Sequence, residues 1–362
     1  MSSQKDLVYV ITGLNRAGAE LVCLDQASYF ARAGYRIGVI YLVKGDDQLV
    51  PNFEAIGAET VCLGMRSSLA LPLALLRCRS VLRKWRPRVV HSHMIHATIL
   101  LSLIKWSLPG IKLVATAHNI NEGGGMLNLL QRFTRRAPDL ATNVSEEATM
   151  AYVSRGLFRA SSTKCIPNGI DVEKFGFQET TRARPDETFI FICVAQFRPQ
   201  KNHRALLQAF AKVRSVKQKA RLQLLGDGPL LDECKVLART LGIADAVEFA
   251  GGGADVVAAL RDADAFVLVS NYEGFGLAAA EAMSVGLPVI GADVAGLREV
   301  IGPHGMLPPP DDIDAIAKAM QRCIDAPGTS ADRRARREYI VRHFSLNAVL
   351  TRWDAEYRRL GL

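Results

Sequence analysis

No apolar run in this sequence is long enough to cross a lipid bilayer. A spanning helix needs about 20 apolar residues, whereas the candidate segment 95–108 has 14 residues and contains His96 and Lys105. Residues 1–6 are polar and lead directly into a strand-like run, so the pattern of a secretory signal peptide is also missing. We therefore expect a cytoplasmic protein without a membrane span.

Cysteine pairs are lacking as well. The seven cysteines are odd in number and widely spaced, and no two of them form a Cys-x-x-Cys pair. A disulfide framework or a zinc ribbon would need such paired spacing. The cysteines are therefore expected to be buried thiols that serve packing.

The first half of the chain is short of acidic residues. Residues 1–172 hold 20 Lys and Arg against 12 Asp and Glu, and the remainder holds 25 against 24, so most of the net charge of +9 lies in the first half. A lopsided basic half predicts a polyanionic partner, for which anionic membrane headgroups, nucleic acid and phosphorylated acceptors are the candidates. A basic motif interleaved with aromatic residues, as in RNP1, is absent, which disfavours nucleic acid.

One basic segment, 69–88, has the amphipathic pattern of a helix that lies on a membrane surface. Leucines and Trp85 alternate there with six Arg and Lys residues. An exposed helix of an ordinary α/β protein has the same two faces. The sequence alone leaves both interpretations open.

Apolar, β-branched runs alternate with helical patterns, which predicts an α/β fold. The length of 362 residues exceeds the size of one ordinary core, so two domains are expected. The strand-like runs fall into two groups, at 7–12, 37–42, 89–91 and 113–117, and at 189–194, 222–225 and 265–269. This pattern predicts two doubly wound, Rossmann-like domains with parallel sheets. We place the boundary in the polar stretch 176–187, which gives domains at 1–178 and 179–345.

The run 273–281, Glu-Gly-Phe-Gly-Leu-Ala-Ala-Ala-Glu, is the most informative segment. Its small residues predict a turn that opens a helix, where backbone amides attract a diphosphate. Those amides belong to Gly274, Phe275, Gly276 and Leu277. Glu273 would precede the helix and Glu281 would lie on its second turn, so the two carboxylates could accept hydroxyl hydrogen bonds from different parts of one extended ligand. This arrangement suits a nucleotide sugar.

Other ligand-binding candidates of the second domain follow its strands. Arg198 offers a planar guanidinium to a diphosphate and Lys201 a mobile charge, although a solvated loop pair is the plainer alternative. Gly226, in a Gly-Asp-Gly-Pro turn, and Gly251, in a run of three glycines, let the backbone approach a ligand or a neighbouring loop. Each of these signals is weak by itself.

The first domain carries two further candidates. Gly18 lies between a strand and a helix, where the backbone either approaches a substrate or makes a plain turn. His118 follows a strand and could hydrogen-bond a reacting sugar, although an isolated histidine is more often structural. His91, His93 and His96 form an H-x-H-x-x-H run without nearby Cys or carboxylate ligands, so polar contacts at a helix start are preferred to zinc.

Taken together, these motifs resemble glycosyltransferase family four, whose members are retaining enzymes of the GT-B fold. They occur in family order: a glycine loop at 13–20, His118, the Pro-Asn-Gly-x-Asp run at 167–171, Arg198 and Lys201, the Gly-x-Gly-Pro loop at 226–229, and Glu-x7-Glu at 273–281. The resemblance covers essentially the whole chain. It implies a cleft between two Rossmann-like domains, and a C-terminal helix at about 346–362 that packs back on the first domain.

The resemblance also implies roles for the candidate residues. Glu273 would contact the donor sugar, Glu281 the ribose, and Gly226 and Gly251 the region of the base, while Gly18 would lie on the acceptor side. His118 would contact the reacting sugar, and Arg198, Lys201 and the helix at Gly276 would neutralise the leaving diphosphate, so neither a cofactor nor a metal is expected. One departure concerns the family's G-R-x-x-x-x-K stretch, where Gln196-Phe197 replaces Gly-Arg and the arginine is shifted along.

The resulting prediction is a retaining hexosyl- or N-acetylhexosaminyltransferase. We expect a UDP- or GDP-linked sugar as donor and a saccharide or lipid-linked acceptor, in the assembly of bacterial surface polysaccharide such as lipopolysaccharide or capsule. An anionic membrane surface is a candidate partner, with the enzyme at the inner face of the cell membrane. A nucleotide-sugar 2-epimerase of the same fold is the alternative, but it leaves the two glutamates unexplained. A substrate-binding pseudoenzyme fits poorly with a complete donor-side set of residues.

Overall fold

The structure is a computed structural model that describes residues 4–177 and 186–362. It contains two compact units, one formed by Met1–Gly169 with Val349–Leu362 and the other by Ile170–Ala348. Most of the boundary stretch drawn from the sequence, 178–185, lies outside the described residues, and the units divide earlier, after Gly169. The predicted α/β fold with two Rossmann-like parallel sheets is confirmed.

The first unit is built on a seven-stranded parallel sheet of order β3-β2-β1-β4-β5-β6-β7. The strands are β1 Leu7–Ile11, β2 Ile37–Tyr41, β3 Glu59–Cys62, β4 Val89–His93, β5 Lys112–Ala117, β6 Leu140–Asn143 and β7 Thr163–Cys165. β1 and β4 are buried along their whole length, as parallel strands covered on both faces should be. The strand order reverses at β1, where Leu7 pairs with both Ile37 and Val89. Ligands of open α/β sheets bind beside such a reversal.

Helices cover both faces of this sheet. They are α1 Gly18–Arg32, α2 Val50–Ala55, α3 Leu71–Trp85, α4 Ile95–Ile104, α5 Gly125–Thr134 and α6 Glu146–Ser154. The chain moves across the sheet in one direction from β1 to β3 and in the other from β3 to β7. Because crossovers between parallel strands are right-handed, α1 and α2 lie on one face and α3 to α6 on the other. On that second face, α4 packs between α3 and α5.

The second unit has a five-stranded parallel sheet of order β10-β9-β8-β11-β12. Its strands are β8 Phe189–Val194, β9 Ala220–Leu225, β10 Val247–Phe249, β11 Ala265–Leu268 and β12 Val289–Gly291. Its helices are α7 His203–Val216, α8 Leu231–Thr240, α9 Val256–Asp262, α10 Leu277–Ser284, α11 Ala295–Ile301, α12 Ile313–Asp325 and α13 Ser330–Phe344. The strand order reverses at β8, since Phe191 pairs with both Leu222 and Ala265. The loops after β8 and β11 therefore meet at the carboxyl edge of the sheet.

The last helix, α14, spans Leu346–Arg359, and from Val349 onward it belongs to the first unit. Trp353 and Tyr357 lie one turn apart and are fully buried. The Tyr357 hydroxyl lies 2.6 Å from His91 Nδ1, and its ring packs 4.9 Å from that of Phe30 on α1. The helix therefore covers the same face of the seven-stranded sheet as α1.

Two further expectations can be compared with the structure. None of the helices in the described parts of the chain combines the length and the apolarity needed to span a bilayer. All seven cysteines are free thiols, of which five are buried and two, Cys62 and Cys165, are partly buried.

Candidate active site

The turn between β11 and α10 ends in an uncapped helix N-terminus. α10 begins at Leu277, directly after Gly276, whose φ of 95° and ψ of 54° lie in the left-handed region that favours glycine. No described side chain caps this end of the helix. Its first backbone N–H groups therefore lack both intrahelical and side-chain acceptors, and together with the helix dipole they favour an anion. This is the helix start that the run 273–281 predicts.

The backbone of this turn is fixed by close packing against α11. A Cβ atom on Gly276 would lie 2.6 Å from a methyl carbon of Leu297, and a Cβ atom on Gly296 would lie 2.5 Å from the carbonyl carbon of Gly274. The Gly296 N–H also donates to the Glu273 carbonyl at 3.3 Å. The absence of a side chain at Gly296 thus lets the two backbones touch, and its absence at Gly276 makes room for the Leu297 side chain. This close packing holds the amides of 274–277 in place.

Lys201 and Glu273 form an ion pair beside the turn. Lys201 follows β8 and Glu273 follows β11, and the two strands are neighbours in the sheet. The Lys201 Nζ lies 2.5 Å from Glu273 Oε2, and the Ser270 hydroxyl donates to the same oxygen at 3.2 Å. The Asn271 N–H donates to the Gln200 carbonyl at 2.8 Å and joins the two loops through their backbones. A cation and a carboxylate are therefore held together next to the anion-attracting helix start.

The other predicted members of the run 273–281 differ in their exposure. Glu281 lies on the second turn of α10 and is partly buried. The Phe275 side chain is only 4% exposed and packs edge to face on Phe344, with ring centroids 5.3 Å apart. Phe275 can therefore present only its backbone to a ligand, as the prediction for this turn requires.

The predicted glycine turns interlock at the ends of β9 and β10. Gly226 and Gly251 both have positive φ, of 143° and 73°, and the Gly226 N–H donates to the Gly251 carbonyl at 3.1 Å. A Cβ atom on Gly226 would lie 2.1 Å from the Ala195 carbonyl oxygen. Asp227, in the same turn as Gly226, adds a second contact to the turn of Gly251, because its carboxylate accepts from the Gly252 N–H at 2.9 Å. These glycines bring three loops into backbone contact beside the end of β8.

Arg198 does not lie beside Glu273 as Lys201 does. It is exposed and lines a cavity of about 190 Å³ on the α7 and α8 side, together with Pro199, Asn202, His203, Arg204, Leu230, Glu233, Cys234 and Leu237. Of the two predicted cations, the structure therefore brings only Lys201 into contact with Glu273.

His118 is partly buried beside two fully buried histidines of the first unit, His91 and His93. It follows β5, and its Nε2 lies 2.9 Å from Nδ1 of His93, which ends β4. His91 lies within 2.6 Å of both the Tyr357 hydroxyl and the Thr116 hydroxyl. Burial lowers the pKa of His118 to about 4, so its imidazole is neutral near pH 7. A neutral ring can donate or accept one hydrogen bond without carrying charge.

The proposed helix-start role of the H-x-H-x-x-H run is therefore wrong for two of its three members. His91 and His93 belong to β4 and contact other strands and α14, and only His96, which is exposed, lies on α4. The strand predicted from the sequence ends at His91, whereas β4 continues to His93. His91 and His93 are therefore buried strand residues. In the described ranges, no three His, Cys, Asp or Glu side chains are grouped so that they could hold a metal ion.

Glu122 lies beside His118 and is not indicated by any of the sequence motifs. Its carboxylate accepts hydrogen bonds from the His118 N–H and, at 2.9 Å, from the Ile95 N–H at the start of α4. Burial raises its pKa to about 7, although the backbone donors act in the opposite direction. It thus fixes the loop that carries His118 to the loop after β4. The one signal in the sequence is that Glu122 is the only acidic residue between Glu59 and Asp139.

Gly18 is the first residue of α1, at the carboxyl end of the central strand β1. The helix has no side-chain cap among the described residues, and its N-cap residue, Ala17, is extended. The preceding loop is tied to the loop after β2, because the Asp46 N–H donates to the Asn15 side-chain oxygen at 3.2 Å. Gly18 therefore lies at the strand reversal of the first sheet, where the prediction places an acceptor-side turn.

Comparison with known proteins identifies both units. Residues 16–174 match the family model for Glycosyltransferase Family 4, and residues 177–342 match the model for Glycosyl transferases group 1. The chain is 29% identical over 302 residues to the MMP alpha-(1->4)-mannosyltransferase of Mycolicibacterium hassiacum, covering 75% of this chain and 70% of that protein.

Two other proteins are informative. The chain is 27% identical over 271 residues to a GDP-mannose-dependent alpha-(1-6)-phosphatidylinositol monomannoside mannosyltransferase of Mycobacterium tuberculosis, covering 69% of this chain and 68% of that protein. The fold of the present chain matches the crystal structure of Anabaena HepE in complex with UDP and glucose, with a TM-score of 0.85 and 19% identity. The match covers 98% of this chain and 100% of that one. Together, the two family matches, the relatives and the fold show that this chain is a glycosyltransferase of family four with the GT-B fold.

Proposed function

We propose that the protein transfers a hexosyl or N-acetylhexosaminyl group, with retention of anomeric configuration, from a nucleoside diphosphate sugar to a saccharide on a lipid carrier. The observation that carries this proposal is the Lys201–Glu273 pair beside the uncapped start of α10. A cation and backbone amides suit the diphosphate, and the adjacent carboxylate suits the hydroxyls of the attached sugar.

In this reaction the bond between the anomeric carbon and the diphosphate oxygen breaks, and its electron pair stays on the diphosphate. Lys201 and the amides of 276–277 stabilise that developing charge, which is the largest electrostatic demand of the step. The acceptor oxygen then forms a bond to the same face of the anomeric carbon, and its proton passes to the departing diphosphate. Neither a cofactor nor a metal ion is needed, because these fixed donors neutralise the leaving group.

Glu273 and Glu281 are assigned to different parts of the donor. Glu273 precedes the helix and shares its carboxylate with Lys201, so it orients the sugar hydroxyls next to the leaving group. Glu281 is one turn further along α10 and is assigned to the ribose hydroxyls. The interlocked turns at Gly226 and Gly251 are assigned to the region of the base.

His118 and Gly18 are assigned to the other substrate groups. The neutral imidazole of His118, held by His93 and by the Glu122 contact to its backbone, donates a hydrogen bond to the reacting sugar. Gly18 lies at the strand reversal of its own sheet, and we assign it to the acceptor.

Two features support a lipid-linked acceptor in cell-surface polysaccharide or glycolipid assembly. The name of the Mycobacterium tuberculosis relative specifies phosphatidylinositol monomannoside as its acceptor. The basic excess of residues 1–172 provides charge that suits an anionic lipid surface. The relatives do not indicate which nucleotide carries the donor sugar, since one name specifies GDP-mannose and one structure contains UDP.

Thermal unfolding with a panel of UDP- and GDP-linked sugars tests the donor assignment. A ligand that binds only the folded protein raises its melting temperature, so one nucleotide series should raise it and the other should not. The preferred donor should then be incubated with and without a lipid-linked saccharide, and the product analysed by NMR. Transfer with an unchanged anomer supports the proposal, whereas an epimerised donor formed without acceptor would identify a 2-epimerase instead.

A further inference from the structure

Large apolar side chains are exposed mainly on the first unit. Among the described residues, ten of the fourteen exposed large apolar side chains belong to it, and four belong to the second unit. Those of the first unit include Leu69, Leu73, Leu76, Leu103, Trp106, Met126, Leu129 and Phe133. All eight lie on or next to α3, α4 and α5.

These residues form stripes along two of the helices. On α5, Met126, Leu129 and Phe133 recur at helical spacing, and Phe133 is 78% exposed. On α3, Leu73 and Leu76 point outward with the preceding Leu69, and Leu76 is 65% exposed. Leu82 and Trp85, further along α3, are buried in the core. The exposed apolar side chains of α3 and α5 are therefore not needed for packing against the sheet.

The stripes share one face of the seven-stranded sheet. The handedness of the crossovers places α3, α4 and α5 together, and α4 packs against both neighbours. The Arg79 Nε also donates to the Ser107 hydroxyl at 2.8 Å, joining α3 to the turn that carries Trp106. The C-terminal helix α14 lies on the opposite face and leaves the α3–α5 face uncovered.

The segment that supplies α3, α4 and α5 is almost free of acidic residues. The segment 60–138 holds twelve Lys and Arg residues and a single acidic residue, Glu122. The Glu122 carboxylate is occupied by hydrogen bonds from the His118 and Ile95 backbones. The α5 stripe is flanked by the exposed residues Arg132 and Arg136, and the α3 stripe by Arg77 and Arg83. Exposed apolar side chains are thus surrounded by positive charge.

We propose that the α3–α5 face docks on an anionic phospholipid bilayer, with Leu73, Leu76, Met126, Leu129 and Phe133 entering the interfacial region. Transfer of leucine and phenylalanine side chains from water into the bilayer interface is favourable, and the surrounding arginines bind the anionic headgroups. Nucleic acid would contact the arginines but would leave the aliphatic stripes in water. A second copy of the chain would place the same positive charges against each other.

Docking in this orientation deepens the proposed function and rests on it. α5 begins at Gly125, a few residues after His118 and Glu122. A saccharide on a lipid carrier would therefore lie near the loop of His118 while its hydrocarbon tail stays in the bilayer next to Met126.

Vesicle flotation of the full-length protein tests the docking. The probes are phosphatidylcholine vesicles with and without phosphatidylglycerol, and we expect binding to the anionic vesicles that weakens as salt is raised. Leu73→Ser/Leu76→Ser/Phe133→Ser should lower the partition coefficient about tenfold or more, because it removes three inserted side chains. Arg132→Gln/Arg136→Gln should lower it and should also reduce its dependence on salt.

A matched control comes from the second unit. Val216→Ser/Val236→Ser/Val341→Ser removes three exposed apolar side chains at comparable positions and should leave vesicle binding within about twofold. Equal binding of the stripe variant and this control, or equal binding to neutral and anionic vesicles, would overturn the proposal. Sedimentation showing that the wild type is a dimer and that the stripe variant is a monomer would also overturn it, because the stripes would then be a subunit interface.

Donor binding separates this inference from the proposed function. The stripe variant keeps the candidate active-site residues, so its donor-dependent rise in melting temperature should equal that of the wild type. Lost vesicle binding with intact donor binding supports the docking face. Intact docking with no nucleotide-sugar binding in the wild type would instead remove the proposed function and, with it, the lipid-linked acceptor.

Discussion

The two units hold their candidate ligand groups in different ways. In the second unit, backbone amides at the start of α10 and the interlocked turns at Gly226 and Gly251 form most of the candidate site, and Lys201–Glu273 adds one ion pair. In the first unit, side-chain contacts dominate: His118 lies against the buried His93, and the Glu122 carboxylate accepts from the His118 backbone. The comparison shows that the candidate groups of the second unit are positioned by local chain geometry, whereas those of the first unit are side chains brought together by the fold.

The surfaces of the two units differ as well. Residues 1–172 carry most of the net charge, and the first unit has most of the exposed apolar side chains. Exposed lysines of the second unit are frequently paired with acids, as in Lys212–Asp314 and Lys217–Asp325. The first unit therefore has the chemistry of a docking surface, and the second has that of an ordinary solvated surface.

The largest expected effect is on kcat, and it distinguishes Lys201, beside the start of α10, from lysines in exposed ion pairs of the same unit. Lys201→Ala should lower kcat by about 10²- to 10³-fold, since it removes a cation from the leaving diphosphate. Steady-state transfer assays measure this loss. The control is Lys212→Ala, which removes a lysine from an exposed pair with Asp314 and should change kcat less than twofold. Similar activities of the two variants would contradict the role of Lys201.

A smaller effect is expected for the histidine of the first unit. His118→Ala should lower kcat/KM by about 10²-fold through loss of a positioned hydrogen bond to the sugar. The donor-dependent rise in melting temperature should persist, because the proposed diphosphate contacts lie in the second unit. His96→Ala, which truncates an exposed histidine of the same region, serves as control and should retain full activity. Equal losses in both variants would argue against a specific role of His118.

The backbone contact between Gly296 and Gly274 can be tested without changing any candidate ligand-binding side chain. Gly296→Ala places a Cβ atom 2.5 Å from the Gly274 carbonyl carbon and should displace the amides of 274–277. We expect about tenfold weaker donor binding by calorimetry, together with about 1 to 3 kcal/mol of lost stability from overpacking. Gly253→Ala has open space around its Cβ position and should bind the donor normally. Unchanged donor binding by Gly296→Ala would show that the turn does not hold the diphosphate.

The smallest effect concerns pH and Glu122. Burial raises the pKa of this carboxyl from 4.5 to about 7, so the folded protein holds a proton that the unfolded chain releases above pH 4.5. The stability from this group is therefore present at low pH and is lost as pH rises from about 4.5 to about 7. Because the Glu122 side chain is partly exposed, solvent screens part of this effect. Relative to Glu122→Gln, the wild type should therefore lose about 1 to 2 kcal/mol across this range, or roughly 3 to 5 °C in melting temperature. A pH-independent difference between the two would contradict the raised pKa.

Local patterns were sufficient to predict the fold and much of the second unit. Buried parallel strands such as β1 and β8 are continuous apolar runs, and they alternate visibly with helices. The run 273–281 is contiguous, so the sequence alone places its glycines at a helix start, with one carboxylate before the helix and the other on its second turn. Short, more polar strands such as β3 and β7 give no such signal and were not predicted.

The histidine and glutamate contacts of the first unit could not be predicted from local patterns. His93 meets His118, and Glu122 meets Ile95, only because β4 and β5 are neighbours in the sheet. Likewise, nothing in the sequence indicates that Lys201 pairs with Glu273 while Arg198 lies against α7 and α8. Such contacts join residues distant in the chain, and they depend on strand order rather than on periodicity.

A crystal structure of this protein with its preferred nucleoside diphosphate sugar would test the central claim most directly. We predict that diphosphate oxygens lie within hydrogen-bond distance of the Gly276 or Leu277 N–H and of the Lys201 Nζ, and that the Glu273 carboxylate accepts from a sugar hydroxyl. A diphosphate bound away from the start of α10, with Lys201 and Glu273 still paired only to each other, would contradict the account.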